Sequence, residues 1–238
     1  MAFLPALMLG GYWFGGEGLL LYMALLMPAI FAAAGLFSGT GTSWPDDYDG
    51  ITGLKLRKAA VKRLDAALQS ERDTGKSSAA LAIRLDDFQS LLRQFGPSAT
   101  DKILRQTGER LKSALRDGDL VVWLGEASFG VALAPVPRLD LETLIQLSAR
   151  LQAALAEPFS VDGTRVYATA SIGFCSLARA NARSGQDVLV GAETAADAAQ
   201  ANGAGSIRAF TPEINRRAIT RAGLAKEAAE ALANGQIT

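Results

Sequence analysis

The sequence predicts an α+β fold in which helices pack on a sheet, and three observations carry that expectation. Helix-like and strand-like periodicities alternate from Lys55 onward without the regular βαβ spacing of a parallel fold. Two short apolar runs, Leu120 to Leu124 and Phe129 to Ala134, flank Gly125-Glu126-Ala127-Ser128, which reads as a hairpin between antiparallel strands. Charge divides the chain. Met1 to Leu54 holds no Lys or Arg and only the acids Glu17, Asp46, Asp47 and Asp49, whereas both signs mix closely from Lys55 on.

Residues 1–40 are expected to insert in a membrane. Leu19 to Phe37 is uncharged and long enough to cross a bilayer core of roughly 30 Å. Ala2 to Phe14 is apolar but too short, and Gly15-Gly16-Glu17-Gly18 separates the two as an interfacial turn. A cleaved signal peptide is the first rival, but no basic segment precedes the apolar run. A buried core helix is the second, and apolarity on all faces weighs against it. Lys55, Arg57 and Lys58 follow the span, so the positive-inside rule places the soluble part in the cytoplasm of a bacterial inner-membrane protein. The first apolar stretch looks like the tail of a helix that has lost its beginning, which implies either an N-terminally truncated fragment or a start at a misassigned Met.

Ser38 to Pro45 is rich in Gly, Ser and Thr, and residues 41–48 are read as a linker. Lys55 to Arg72 is a helix with Ala60, Leu64, Ala67 and Leu68 on one face. Ser77 to Leu85 is a central strand. Asp86 to Phe95 and Ser98 to Leu115 are two helices broken at Gly96-Pro97. After the hairpin, Leu141 to Ala156 is an amphipathic helix and Arg165 to Leu177 a strand with an expected bend at Gly173. Asp187 to Ala201 is an Ala-rich helix, Ser206 to Phe210 the last strand, and Glu213 to Ala233 a closing helix.

Composition removes several chemistries. The chain has 24 basic and 24 acidic residues, which argues against a nucleic-acid partner held by a basic surface. With no His and the single Cys175, Ser-His-Asp and Cys-His catalysis and thiolate or imidazole metal sites are excluded. A metal would need carboxylate oxygens.

Motifs in order from Asp49 to Pro212 resemble the GGDEF domain, the diguanylate cyclase fold. Asp49-Gly50-Ile51-Thr52-Gly53-Leu54 matches the family opening, with Arg57 after it. Arg84-Leu85-Asp86-Asp87-Phe88 stands for Asp-Leu-Asp-x-Phe, and Gly96, Asp101 and Leu104 keep register beyond it. Gly125-Glu126-Ala127-Ser128-Phe129 stands for the signature hairpin, Ser171-Ile172-Gly173 for a Ser-Ile-Gly strand, and Ala192 to Arg208 for the last helix and turn. The resemblance implies a nucleotide-cyclase-like, mainly antiparallel central sheet flanked by helices.

It also implies that the chemistry is gone. The family joins two GTP molecules with Mg²⁺ held on two carboxylates, whose positions here are Arg84 and Ala127, and Ser128 replaces the next acid. Leu92 replaces the guanine-contacting Asn, although Asp101 survives, and Gln200 and Ala204 replace the phosphate-contacting Lys and Arg. Asp86 and Asp87 read as a helix N-cap ahead of a remnant metal pair. Glu126 would face the wrong way to be a ligand. No catalytic residue, metal or cofactor is expected.

Arg116-Asp117-Gly118-Asp119 has the Arg-x-x-Asp pattern of the family's inhibitory cyclic-di-GMP site, five residues ahead of the hairpin. A guanidinium and a carboxylate suit guanine and phosphate. The rival reading is a plain helix-to-strand turn. Glu213 to Thr238 resembles the helix that leads into an EAL phosphodiesterase domain, so the gene is expected to continue past Thr238. The functional expectation is an inactive GGDEF domain that regulates or dimerises in cyclic-di-GMP signalling, with itself or a GGDEF/EAL partner. The alternatives are an active cyclase with unorthodox ligands and an adaptor with no nucleotide.

Overall fold

The computed structural model describes residues 47–180 and 182–214. The expected membrane segments at 1–40, the linker up to 46 and the closing helix beyond 214 lie outside the described residues. Among the described residues no helix is long and apolar enough to cross a membrane.

The chain forms β1 (Lys55–Leu56), α1 (Arg57–Thr74), β2 (Ala79–Leu85), α2 (Phe88–Ala114), β3 (Leu120–Gly125), β4 (Ser128–Ala132) and α3 (Leu141–Ala156). There follow β5 (Phe159–Val161), β6 (Thr164–Val166), β7 (Ala170–Ser176), α4 (Leu177–Ala180), α5 (Gly185–Gln200) and β8 (Ile207–Ala209). The main sheet is six-stranded in the order β1-β3-β4-β2-β7-β8. Its three central pairings are antiparallel, but β1 on β3 and β8 on β7 are parallel, so the sheet is mixed.

Strand alternation sorts the core to the two faces of β2. Ala79, Leu81, Ile83 and Leu85 join the cluster that includes Ile103 and Leu111 of α2 and Leu144 and Leu151 of α3. Ala80 and Ala82 face the other cluster, with Ala60 and Leu64 of α1 and Ala192, Ala195 and Ala196 of α5. Small residues on that second face let helix backbone come close. A Cβ placed on Gly173 would lie 2.0 Å from Ala196 N and 2.3 Å from Ala192 O, so α5 rests directly on the β7 backbone.

Helix ends follow from local chemistry. Asp140 caps α3 by accepting from Thr143 N at 2.8 Å. Ser184 and Asp187 form a reciprocal capping box at the start of α5. The break in α2 falls where Gly96 adopts φ 78° and ψ 172°, and Pro97 then opens the second segment, as expected.

Three sequence expectations need correction. Lys55 begins a short strand and not the helix. The strand expected over Arg165 to Leu177 divides, because Asp162 (φ 48°) and Gly163 (φ 82°) turn the chain into a separate β5–β6 hairpin. It is not bent at Gly173 either: the pairing of β7 with β2 runs without a shift from Ala79–Ser176 to Leu85–Ala170. The glycine is needed by the helix above it.

Candidate functional site

The C-terminal end of β2, the β3–β4 hairpin and α5 converge on one face of the sheet. Arg84 lies directly opposite Ser128 of β4 and Ser171 of β7. Its Nη2 reaches Asp197 Oδ1 of α5 at 2.7 Å. One turn earlier on α5, Glu193 Oε2 accepts from Arg57 Nη1 at 2.9 Å. Two acids at i and i+4 therefore answer two arginines from different elements. Burial raises the Asp197 carboxyl above its ordinary range, Arg84 opposes that rise, and Glu193 adds to it.

Glu126 and Ala127 form the two-residue tip of the hairpin, with φ of 44° and 60°. Both lie in the left-handed region, where residues with a Cβ are strained. Ala127 is buried, and its carbonyl accepts from Leu85 N at 3.2 Å. Ser128 is 6% exposed, and its Oγ has no hydrogen-bond partner. Where the resemblance implies two metal-binding carboxylates, the side chains are thus a guanidinium and a methyl group. Among the described residues no three acidic or thiol side chains gather in a metal-binding group. This donor set does not fit a divalent cation.

Asp86 is not the N-cap of α2, and both its carboxylate oxygens are taken up by hydrogen bonds. Its Oδ2 accepts from Thr169 Oγ1 at 2.8 Å and Gly205 N at 2.8 Å. Its Oδ1 accepts from Ser171 Oγ at 2.7 Å and, more weakly, Gln200 Nε2 at 3.4 Å. One buried carboxylate thus ties β2, β7 and the segments before β7 and after α5 together, a tertiary role that the Asp86-Asp87 pattern does not disclose. Asp87 is the N-cap of α2 by position, with φ 50° and no side-chain cap bond. Gln200, in the place of the implied phosphate-contacting Lys, turns inward to Asp86. Leu92 and Asp101 sit on either side of the Gly96 break in α2, both half-buried. Ala204 lies in the turn before β8.

Arg116 and Asp119 are together, at the entry to β3. Arg116 Nε lies 3.3 Å from Asp119 Oδ1, and its Nη2 donates to Ala134 O at 2.8 Å. The Asp119 side chain, 3% exposed, accepts from Ala134 N at 2.8 Å. The pair therefore closes the turn between helix and hairpin. Beside it runs a groove lined by Tyr48, Lys55, Lys112, Arg116 and Leu120. The Lys55 ammonium sits 5.9 Å from the centre of the Tyr48 ring.

Residues 46–206 match the family described as diguanylate cyclase, GGDEF domain. An uncharacterized signaling protein of Caulobacter vibrioides is 30% identical over 194 residues, covering 80% of this chain and 23% of that protein. The cyclic di-GMP phosphodiesterase NbdA of Pseudomonas aeruginosa is 31% identical over 190 residues, covering 80% of this chain and 24% of its own. The chain thus spans about a quarter of these relatives. Among solved structures, the GGDEF domain of TpbB from Pseudomonas aeruginosa superposes with a TM-score of 0.67 at 27% identity, covering 71% of this chain and 97% of that one. The FimX GGDEF domain of the same organism gives 0.61 at 26% identity, covering 68% and 99%.

Proposed function

The chain belongs to the diguanylate cyclase GGDEF-domain family, and from that membership we propose that it is a catalytically inactive member, a regulatory or dimerising element in cyclic-di-GMP signalling. The observation that carries this reading is the Arg84–Asp197 ion pair beside Ala127, at the two positions where the family resemblance implies metal carboxylates. Joining two GTP molecules needs a divalent cation to neutralise charge on the reacting phosphate. A guanidinium paired with Asp197 and a methyl group offer such a cation no ligand oxygen. The phosphate grip is also absent, because Gln200 is turned toward Asp86 and Ala204 carries no charge.

The test is incubation of the purified chain with GTP and Mg²⁺ or Mn²⁺, followed by chromatography. No cyclic-di-GMP above background is expected. Product that disappears on Asp86→Asn or Glu126→Gln would establish an active cyclase with unorthodox ligands instead.

A second reading, cyclic-di-GMP binding at Arg116 and Asp119, draws support from the groove beside them, which Lys55 and Lys112 line together with Asp117. The ligand would have to win Arg116 from Ala134 O, since both residues already serve the turn. Calorimetry with cyclic-di-GMP decides: absence of heat would leave an adaptor without nucleotide, and heat unchanged by Arg116→Ala would put any binding away from this turn.

Anchoring in the bacterial inner membrane through Leu19 to Phe37, with the folded part cytoplasmic, belongs to the same proposal. Release of the chain from membranes by carbonate would overturn it. So does continuation past Thr238 into an EAL domain, which a stop codon after Thr238 would refute. The naming of the relative NbdA as a cyclic di-GMP phosphodiesterase is in keeping with such a partner.

A further inference from the structure

Tyr167 is 67% exposed, more than any other large apolar side chain among the described residues. It lines a groove of about 190 Å³ between the first turns of α2 and the residues that lead into β7. Asp86, Asp87, Ser90, Leu91 and Gln94 line it too, and no Lys or Arg does. The Asp86 oxygens are held by hydrogen bonds from Thr169, Ser171 and Gly205. The Asp87 side chain is exposed, makes no cap bond to α2, and has no partner among the described residues. An aromatic face beside a free carboxylate, with a second carboxylate behind it, attracts a cation and repels an anion. The start of α2 adds about half a positive charge here, which two carboxylates outweigh. Arg93 stands at the rim, turned to Ser90 Oγ, to which its Nη2 donates at 2.9 Å.

We propose that this groove is a docking site for an arginine side chain presented by a partner protein. Its size favours a side chain over a free metabolite. Pockets that enclose small molecules run from roughly 300 Å³ upward, whereas about 190 Å³ is room for little more than one long side chain. The chemistry favours arginine over lysine. A guanidinium is flat, so it can lie on the Tyr167 ring while its edge reaches the Asp87 carboxylate, and a compact ammonium lacks that fork. The molecule uses the same stacking internally, where the Arg110 guanidinium sits 4.1 Å from the centre of the Phe159 ring. This inference adds a partner surface to the regulatory reading but does not rest on it, because the groove is the same whether or not the chain makes cyclic-di-GMP.

The experiment is amide NMR of the isotope-labelled full chain in detergent micelles at low salt, titrated with N-acetyl-arginine amide. Saturable shifts confined to the amides around Asp87, Leu91 and Tyr167 are expected. The dissociation constant should be on the order of tens of millimolar, the strength of one exposed cation–π contact and one exposed ion pair together. Tyr167→Ala and Asp87→Asn should each cut the initial slope about threefold, while Tyr167→Phe, which keeps the ring, should leave it unchanged. N-acetyl-lysine amide should shift the same amides less, and N-acetyl-norleucine amide not at all. The proposal is overturned by equal shifts with the neutral or the lysine probe, or by an unchanged slope in Asp87→Asn. Shifts at exposed acids elsewhere, such as Glu142, as large as those in the groove would also overturn it. The same shifts on concentrating the chain alone would assign the arginine to a second copy and remove the separate partner. Should Tyr167→Ala fail to fold, Asp87→Asn compared with Tyr167→Phe still decides.

Discussion

Ala127 sits in a conformation its side chain disfavours, with φ 60° at the second position of the hairpin tip. Two-residue hairpins of this type favour Asn or Asp followed by Gly, because both central residues need positive φ. Glu126 and Ala127 meet neither preference. Glycine at 127 keeps the backbone bond from Leu85 N and loses only a methyl group. Ala127→Gly is therefore expected to raise stability by about 0.4–1 kcal/mol, or leave it unchanged if the buried methyl matters as much, read from a urea midpoint at constant slope. A clear loss would contradict the strain. Cys175 illustrates the opposite case of a residue without chemistry: burial pushes its thiol up to about 12, so it stays protonated and unreactive at neutral pH.

At the scale of elements, α5 is the piece on which the fold turns. It covers β7 so closely that the Gly173 position leaves no space for a Cβ, and the clashing atoms are helix backbone. Gly173→Ala is expected to cost about 3 kcal/mol or more, since backbone cannot rotate away as a side chain can. A melting midpoint close to the parent's would refute the contact. The start of the same helix carries a pH dependence. A hydrogen bond from the Arg183 amide, with further bonds from Ser184, holds the Asp187 carboxyl below its ordinary range, against an opposing effect of burial. Bonds from Thr143 do the same for Asp140 at the start of α3. A carboxyl with a lowered folded value stabilises the fold above its unfolded value, about 3.9, and loses that contribution as pH falls through the folded one. Amide exchange at the first turns of α3 and α5 should be constant relative to the rest from pH 7 to 5 and accelerate only below about pH 4. Loosening between pH 7 and 5 would disprove this.

The described residues form a GGDEF fold in which some of the positions named by the family resemblance have partners of their own. Arg84 pairs with Asp197 and Gln200 with Asp86, while Ser128 Oγ has no partner. Returning Arg84→Asp, Ala127→Asp and Ser128→Glu together is expected to leave cyclase activity undetectable. Asp197 would then face a carboxylate in place of its cation, and Gln200, Ala204 and Leu92 would still offer nothing to the nucleotide. Cyclic-di-GMP production by the triple variant would show that the metal carboxylates alone were missing.

The elements with strong local signals were legible in the sequence. The buried face of α1, Ala60, Leu64, Ala67 and Leu68, follows helical spacing, and the α2 break follows Gly96-Pro97. The hairpin bounds and the span of α3 follow from turn residues and periodicity, because these are set by neighbours in the chain. That Arg84 and Ala127 stand where the family resemblance implies carboxylates was equally plain, being a matter of residue identity. What those residues do instead was decided only by the tertiary structure. The partners of Asp86 are 83 to 119 residues away, and Glu193 lies 136 from Arg57. Local pattern made Asp86 a helix cap and Gly173 a bend. Packing made the one a tie between strands and turns, and the other the bed of a helix. Sequence pattern reports the energetics of near neighbours, and these roles belong to contacts that exist only once the sheet has closed.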